Sequence, residues 1–383
     1  MKGFVVWHHP GEIHSIVDDL SARLGQLGDE WLEASEARPR YFEFTPIELH
    51  AVTRRLQLAE PTASANLLVV DLASTVDFLS RVKNLKIRGS RGYVRSSNIL
   101  CNSLEMSLHF CKSLLALWIA DYDVRQIEGL AQLRRTLRRL VVHYSMRNVK
   151  DLFGVSELEV DTDGRPWPVL EDVDLSFNQL DSIDDSITTL KAVTTLNLSQ
   201  NRLADIGPNL QHMPALRRLD LSKNILDSVS GWAQLLGNIT TLNIAGNQIP
   251  SLEGLSKLYS LEVLDASENQ LDTVESVIHV GRLPCLETLI LRGNPVRKTV
   301  EYRTRILEAF EERAAEITLD SRRANERERD TIAVRLALRR SREEKERAEL
   351  ARKEKIERSV RYISGCDGTA SDTSPYGSFQ NTL

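Results

Sequence analysis

The chain has 383 residues, of which 27% are charged and 42% hydrophobic, and its formal net charge is −5. This acidic balance argues against a general nucleic-acid binder, which needs an excess of Lys and Arg to neutralise phosphates. The four cysteines form no C-x-x-C pair, which favours a reducing, intracellular compartment. No apolar run reaches the roughly 18 residues of a membrane-spanning helix, and no secretory signal opens the chain. We therefore predict a cytoplasmic protein without a transmembrane segment.

The amino-terminal residues 1–45 predict a strand, a helix and a second strand. Apolar side chains recur at helical spacing from Ile13 to Leu27, and Tyr41–Phe44 has the pattern of a short strand. Thr45 has the position of a helix N-cap, because Pro46 follows it and Glu48 is placed to complete a capping box. A helix is therefore expected to begin at residue 46.

Residues 46–168 are predicted to hold this helical entry and then degenerate copies of a repeat that becomes regular downstream. Three stretches, 82–87, 114–119 and 137–142, share a leucine spacing but lack a following asparagine. The segment 161–168 (DTDGRPWP) is rich in turn-forming residues and predicts an exposed loop.

Residues 169–296 contain six copies of the pattern L-x-x-L-x-L-x-x-N-x-L. Its asparagines are separated by 23, 23, 23, 22 and 25 residues and are Asn178, Asn201, Asn224, Asn247, Asn269 and Asn294. The alternating leucines predict one short strand per copy with a buried face, which neighbouring copies must cover by stacking. This is the frame of a leucine-rich repeat, so the predicted fold is an α/β solenoid with short repeats of 22–23 residues. The asparagines are expected to satisfy backbone groups where the chain leaves each strand.

Repeats this short leave room only for brief helical turns between strands, predicted for segments such as 182–190 and 252–258. Residues 297–320 are predicted to cap the last repeat with a helix over 300–313, whose apolar side holds Tyr302, Ile306, Leu307 and Phe310. Residues 321–363 predict a long charged helix, either solitary or in a weak coiled coil, since no sustained heptad is present. The tail, 364–383, is rich in Gly, Ser and Thr and predicts disorder.

A solenoid of this type offers its concave strand face to partners, at the outward positions between the leucines. The predicted binding residues are Asp174, Phe177, Asn197, Gln200, Arg218, Asp220, Lys223, Asn243, Asp265 and Glu268. The row of Asp and Asn residues has two interpretations: side chains that bridge neighbouring strands, or an acidic strip for a basic partner. Phe177 is the best single anchor, because exposed aromatic residues are enriched in interface hot spots.

No arrangement of residues in the sequence predicts catalysis or cofactor binding. His109 lies near Cys101 and Cys111, but without a second ligand pair this neighbourhood is interpreted as core. Gly89–Gly92 lacks the Lys-Ser/Thr pair of a phosphate-binding loop. The prediction is a non-enzymatic protein with no metal, cofactor or nucleic-acid ligand.

Several segments, some of them outside the repeat frame, together resemble the nischarin family: Phe44–Thr53, Arg88–Gly92 with Ser97–Ile99, Leu236–Asn247, Val280–Glu287 and Glu301–Glu316. The resemblance implies a cytosolic and endosomal scaffold that binds integrin tails, Rac-type small GTPases and the kinases these activate, and that restrains cell migration. The family's PX domain would be represented only by a remnant in residues 1–45, without the basic pocket that holds phosphoinositides. The family's long region after the repeats has no counterpart. Phosphoinositide binding is therefore not predicted.

The alternative function is that of a regulatory subunit of an enzyme such as a protein phosphatase. Repeats of 22–23 residues resemble the short intracellular class found in phosphatase regulators.

Overall fold

In the computed structural model, the described part of the chain comprises residues 16, 19, 20, 22–24, 41–57, 72–90, 92, 93, 98, 100–154 and 166–364. Of residues 72–74 and 359–364 only the backbone is described. The strand and helix predicted before residue 41 lie largely outside these residues, as do most of the 161–168 loop and the predicted disordered tail. The chain divides into two compact units, Met1–Ala324 and Asn325–Leu383.

The described residues of the first unit form an 11-stranded sheet in which neighbouring strands are parallel. In sheet order the strands are β1 (Phe42–Phe44), β2 (Asn84–Arg88), β4 (Ala116–Ala120), β6 (Arg139–His143), β7 (Asp172–Asp174), β8 (Thr195–Asn197), β9 (Arg218–Asp220), β10 (Thr241–Asn243), β11 (Val263–Asp265), β12 (Thr288–Ile290) and β13 (Thr318–Leu319). Two short strands, β3 (Met106–Ser107) and β5 (Ile127–Glu128), pair separately. The sheet order follows the chain, as stacked repeats require, and the predicted leucine-rich repeat solenoid is confirmed.

One inward residue from each repeat strand forms a buried row along the solenoid. These side chains are at most 2% exposed and are Leu85, Leu117, Leu140, Val173, Leu196, Leu219, Leu242, Leu264 and Leu289. Burial of a side chain of this size contributes roughly 1.5–3 kcal/mol, which a repeat retains only while its neighbours stay in place. The three degenerate stretches thus form β2, β4 and β6. Because β1 pairs with β2, the solenoid already includes residues 42–44 of the segment assigned to the PX remnant.

Short helical segments connect the strands. The helix α1 (Pro46–Leu56) begins with the predicted capping box, in which Thr45 Oγ1 accepts the Glu48 N–H at 3.4 Å and Glu48 Oε2 accepts the Thr45 N–H at 2.7 Å. The next helix, α2 (Leu72–Arg81), precedes β2. Later connections shrink to single turns, as predicted for short repeats: α3 (Lys150–Phe153), α4 (Trp232–Leu235), and 3-10 turns such as Asp185–Thr189 and Glu253–Leu255.

The repeated asparagines are buried and hold the turns that follow the strands. In Asn224, Nδ2 donates to Leu198 O at 3.0 Å and to Leu221 O at 2.9 Å, while Oδ1 accepts the Leu203 N–H at 3.0 Å. Leu198 and Leu203 belong to the preceding repeat, so each amide connects two repeats. Bonds back to the preceding repeat are also made by Asn178, Asn201, Asn247, Asn269 and Asn294. The predicted structural role of the asparagines is confirmed.

The degenerate repeats stabilise the same turns with hydroxyl groups. Strand register places Ser145 and Tyr122 where the regular repeats have asparagine. Ser145 Oγ donates to His143 O at 2.6 Å and accepts the Tyr122 N–H at 3.2 Å, and the Tyr122 hydroxyl donates to Leu104 O. A hydroxyl offers fewer bonds than an amide, so these turns rest on fewer contacts each.

Of the exposed loop predicted over 161–168, residues 166–168 are described: Pro166 and Pro168 are exposed, whereas Trp167 is buried and departs from the prediction. Its side chain is 3% exposed and packs edge-on against Phe153, with ring centroids 5.6 Å apart. Its backbone N–H donates to Thr189 O at 2.9 Å. Turn-forming neighbours dominate the local sequence pattern, whereas the partners that bury Trp167 lie 14 and 22 residues away.

The cap also differs from the single helix predicted over 300–313. The helix α5 (Tyr302–Glu308) is followed by a 3-10 turn at Glu311–Ala315 and then by β13. The helix ends early because the chain must return to pair β13 with β12, which covers the sheet edge with backbone hydrogen bonds. The predicted apolar side is nevertheless at most 7% exposed at Tyr302, Ile306, Leu307 and Phe310.

The second unit contains α6 (Glu326–Ser364), which agrees with the predicted charged helix. Asn325 caps it, because its Oδ1 accepts the Glu328 N–H at 2.8 Å and Glu328 Oε2 accepts the Asn325 N–H at 2.9 Å. Exposed i,i+4 ion pairs such as Lys353–Glu349 at 3.1 Å follow along the helix. Whether it pairs in a coiled coil stays a prediction. In the described part of the chain, no helix has the length and apolarity needed to cross a membrane.

Candidate protein-binding surface

Paired residues of neighbouring strands align the outward side chains into a line across the sheet, here termed the central row. From β1 to β12 its members are Glu43, Lys86, Trp118, Val141, Asp174, Asn197, Asp220, Asn243, Asp265 and Ile290. Successive strand residues point to opposite faces, so the central row lies on the face opposite the buried leucines. This face, here termed the open face, brings together the predicted residues from Asp174 to Asp265.

The Asp and Asn residues of the central row cap the turns at the ends of their own strands. Asp220 Oδ1 accepts the Ser222 N–H at 2.9 Å, which is an Asx turn. The same bond is made, at 2.9 to 3.1 Å, by Asp174, Asn197, Asn243 and Asp265. A further bond between strands joins Asn243 Nδ2 to Asp220 Oδ2 at 2.9 Å. These side chains therefore have a structural role, mostly within their own repeat.

Four other predicted residues share a left-handed backbone conformation just before the repeat asparagine. Their φ angles are 53° to 57°, and they are Phe177, Gln200, Lys223 and Glu268. Gly246 and Gly293 fill the same position in the remaining regular repeats, with φ of 69° and 79°. A residue with a side chain costs roughly 1–2 kcal/mol in this conformation. The backbone therefore carries a conformational cost at these four positions that the two glycine-containing repeats avoid.

Arg218 lies on the row next to the central row. Its Nε donates to Thr195 Oγ1 at 3.1 Å, and Arg139 at the equivalent position of β6 pairs with Asp172 at 3.2 Å. Burial raises the pKa of Asp172, and the nearby Arg139 opposes this shift. Both arginines therefore contact polar groups of their own row.

Within the described residues, Asp174, Asp220 and Asp265 have no Lys or Arg at ion-pair distance. The His143 ring lies beside Asp174, with its Nε2 3.3 Å from Asp174 Oδ1. Burial raises the pKa of Asp174, but hydrogen bonds from His143 and Ser176 outweigh it and hold that pKa below its usual range. Asp174 is therefore ionised at neutral pH.

An aromatic cluster, absent from the sequence predictions, lies beside the acidic part of the central row. It consists of Trp118, His143, Tyr144 and Phe177: the His143 ring is 6.0 Å from Trp118 and 5.6 Å from Phe177, and Tyr144 is 5.5 Å from Phe177. Tyr144 is 55% exposed and Phe177 37% exposed. Of these four residues only Phe177 is predicted from the sequence, because the predicted binding residues come from the six regular repeats alone.

His143, Asp174 and Ser176 have the composition of a hydrolytic triad but not its geometry. Asp174 Oδ1 at 3.3 Å and Ser176 Oγ at 3.1 Å contact the same ring nitrogen, His143 Nε2. In a triad the carboxylate and the hydroxyl bind opposite nitrogens, so that the imidazole can relay a proton. Ser176 is also only 1% exposed. The three side chains therefore support the turn.

The neighbourhood of His109 is only partly core. Cys101 and Cys111 are buried, and burial raises the pKa of Cys111 to about 12, so that its thiol is unreactive. His109 itself is exposed, and its Nδ1 hydrogen-bonds Ser107 Oγ at 2.6 Å. Among the residues that the structure describes, no three His, Cys, Asp or Glu side chains are grouped to hold a metal ion.

A groove of about 960 Å³ adjoins the open face where the strands end. Tyr144, Phe177 and Gln200 line it, so it is contiguous with the aromatic cluster. Its walls carry both signs of charge, from Asp121, Asp123, Asp151, Arg125, Arg147 and Arg202. The groove extends the surface available to a partner without favouring one sign of charge.

Comparison with known proteins agrees with the repeat architecture. Residues 191–234 match the family model for leucine-rich repeats in two copies. The chain is 28% identical to serine/threonine-protein kinase 11-interacting protein of Homo sapiens over 203 residues, which cover 53% of this chain and 19% of that protein. The Mus musculus protein of the same name is 30% identical over 185 residues, covering 48% of this chain and 17% of that protein. The chain thus spans about a fifth of the length of these relatives.

Among solved structures, an internalin (inlF) from Listeria monocytogenes aligns at 18% identity and a TM-score of 0.39, over 58% of this chain and 64% of that chain. Internalin C2 from the same organism aligns at 18% identity and a TM-score of 0.40, over 56% of this chain and 83% of that chain.

Proposed function

We propose that this chain is a non-catalytic protein-binding scaffold of cytosolic signalling, and that its open face binds a protein segment of basic character. The observation that carries the proposal is the set of Asp174, Asp220 and Asp265, three carboxylates on one row with no Lys or Arg at ion-pair distance in the described part of the chain. Charge complementarity of this kind selects partners and accelerates their encounter.

The turns alone do not require these charges. Asn197 and Asn243 make the same Asx turn with a neutral amide and alternate with the aspartates along the row. Like charges directly opposite one another on neighbouring strands repel, and the alternation keeps the carboxylates two strands apart. The negative charge is additional to what the turns need, which supports a role in binding.

A kinase or a small GTPase is the partner class that fits this proposal best. The curated relatives carry the name of a kinase-interacting protein. The resemblance to the nischarin family implies kinases, Rac-type GTPases and integrin tails, and it suggests an endosomal pool beside the cytosolic one. We place the kinase-linked partners first because both likenesses include them.

Affinity capture from a cytosolic lysate, followed by mass spectrometry, tests the proposal. The variant replaces Asp174, Asp220 and Asp265 by Asn, which keeps the turn acceptor, as Asn197 and Asn243 illustrate. Lysine would remove that acceptor as well as reverse the charge. We expect a cooperatively folded variant that captures at least several-fold less partner.

The matched control replaces Asp181, Asp227 and Asp272 by Asn. These exposed residues lie three positions after the asparagines of the same three repeats and make an equal change in net charge. The control should capture as much partner as the wild type. Equal capture by both triple variants would contradict the proposal, and recovery of a phosphatase catalytic subunit in place of kinases or GTPases would favour the alternative function.

A further inference from the structure

The spacing of the three central-row aspartates restricts the shape of the segment that they can bind. Register pairing puts Asp174, Asp220 and Asp265 on β7, β9 and β11, with one strand between consecutive aspartates. Parallel strands lie about 4.7–4.9 Å apart, so the Cα atoms of consecutive aspartates are about 9.5 Å apart across the sheet. The full line from Asp174 to Asp265 spans about 19 Å.

A polyproline II segment matches this spacing. It rises about 3.1 Å per residue with three residues per turn, so side chains at every third position share one side at about 9.3 Å intervals. A β-strand presents one side at about 6.7 Å or 13 Å intervals. In an α-helix, every seventh residue lies on the same side at intervals of about 10.5 Å, which is the helical spacing nearest to that of the aspartates. Over two such intervals the helix is about 2 Å longer than the distance from Asp174 to Asp265.

The aromatic cluster lies at the β7 end of this line. Phe177 follows β7 in the chain, and its ring packs against those of Tyr144 and His143. The rings of Phe177 and Tyr144 remain accessible and line the groove. Exposed aromatic rings are the surface on which polyproline II ligands pack their prolines. The row of charges thus ends at an apolar platform of the kind that such a segment uses.

We propose that the partner segment is a polyproline II peptide with Lys or Arg at every third position and proline at the end that meets Phe177 and Tyr144. This inference rests on the proposed function, because it specifies the ligand of the same open face. The peptide crosses the strands along the central row, and its basic side chains pair in turn with Asp174, Asp220 and Asp265.

Synthetic peptides test the register directly on the full chain by fluorescence anisotropy. Three peptides of equal length and equal Arg, Pro and Ser content place their arginines at every second, third or fourth position. A fourth, Ala-rich peptide places them at every seventh position of a helix. We expect the third-position peptide to bind about fivefold tighter, or about 1 kcal/mol, because out-of-step peptides lose two of the three surface ion pairs.

The charge variants separate this inference from the proposed function. The variant with Asn in place of Asp174, Asp220 and Asp265 should bind all peptides equally. The control variant, with Asn in place of Asp181, Asp227 and Asp272, should keep the preference for the third-position peptide. If all peptides bind equally and all depend on the first three aspartates, the proposed function stands and the polyproline II register is wrong. If none depends on them, both are wrong. Tighter binding of the helical peptide would also overturn the register.

The substitution Phe177→Gly tests the aromatic end. Glycine suits the left-handed backbone there, as Gly246 and Gly293 do in their repeats, so the turn should persist. We expect about a fivefold loss of affinity for the peptide with proline at that end, since stacking on an aromatic ring contributes on this order. A peptide with serine there should bind both proteins equally. An equal loss for both peptides would contradict the placement.

Discussion

The regular repeats of residues 169–296 and the degenerate repeats before them build one parallel sheet by different means. The strands β7 to β12 have three residues each, whereas β2, β4 and β6 have five. In five of the six regular repeats an Asp or Asn at the central row accepts the N–H two residues on, and the strand ends there. The sixth strand, β12, also ends at the central row, with Ile290 in that position. The degenerate strands carry Lys86, Trp118 and Val141 there and continue for two more residues.

The open face changes character at the same boundary. Its central row holds Lys86, Trp118 and Val141 over the degenerate strands, and Asp or Asn from β7 to β11. An Asx turn requires Asp or Asn at the central row, whereas a strand without that turn can carry Trp, Val or, as in β12, Ile there. The binding surface proposed above extends across this boundary and combines the aromatic part with the acidic one.

The largest expected effect that separates the two regions is loss of a buried asparagine. Asn224→Ala leaves the Leu203 N–H without its acceptor and removes one of the two asparagine donors from each of the Leu198 and Leu221 carbonyls, so we expect a loss of about 3 kcal/mol in urea unfolding. The counterpart Ser145→Ala loses single hydroxyl bonds, with a loss of about 1 kcal/mol. Equal losses would contradict the difference drawn between the two kinds of turn.

A smaller effect tests how much an Asx turn stabilises the end of a regular strand. Asp220→Ala removes the acceptor of the Ser222 N–H and hydroxyl, bonds of 2.9 and 2.7 Å, and should cost about 1 kcal/mol. Hydrogen exchange at the Ser222 amide should accelerate. Asp220→Asn, which keeps the acceptor, serves as the control and should exchange like the wild type; an unchanged rate in the Ala variant would be evidence against the turn's role.

A still smaller effect concerns the left-handed position. Lys223→Gly relieves a φ of 53° and should stabilise the protein by about 0.5 kcal/mol after the flexibility of unfolded glycine is included. Tyr144→Gly, at the same φ in the degenerate region, also removes the ring contact with Phe177 and should gain nothing. Thermal unfolding of the two variants compares them, and a stabilised Tyr144 variant would show that the aromatic contact contributes little.

The smallest expected effect is a pH dependence of the folding stability that Asp174 contributes, at the boundary between the degenerate and regular repeats. The folded-state pKa of Asp174 is lowered, because hydrogen bonds outweigh the effect of burial. Its stabilising contribution is therefore present above the unfolded pKa of about 3.9 and is lost as the pH falls through the folded value. Asp174→Asn should be less stable than the wild type at neutral pH, and urea unfolding should show this gap closing in acid. A gap that persists at low pH would rule out this account.

Much of the solenoid follows from local pattern alone. The asparagine period located the six regular strands, the buried leucines and the central-row carboxylates, because each is set by spacing within one repeat. Trp118, His143 and Tyr144 could not be placed, since their neighbours on the open face are defined by pairing between repeats. The burial of Trp167 and the strand β13 were missed for the same reason: each depends on a partner outside its own segment.

The asparagine bonds also give the solenoid a mechanical polarity. Each repeat asparagine accepts, through its Oδ1, an N–H of the preceding repeat, as Asn247 does from Leu226. In the cap, Asp320 Oδ1 takes the equivalent role and accepts the Leu291 N–H at 2.8 Å. Removing a repeat from the carboxyl side strips an acceptor from a buried backbone group, whereas removing one from the amino side frees a side-chain amide that water can solvate. Under tension, repeats should therefore detach more readily from the amino side than from the carboxyl side, where the cap and each following repeat supply an acceptor to the repeat before them.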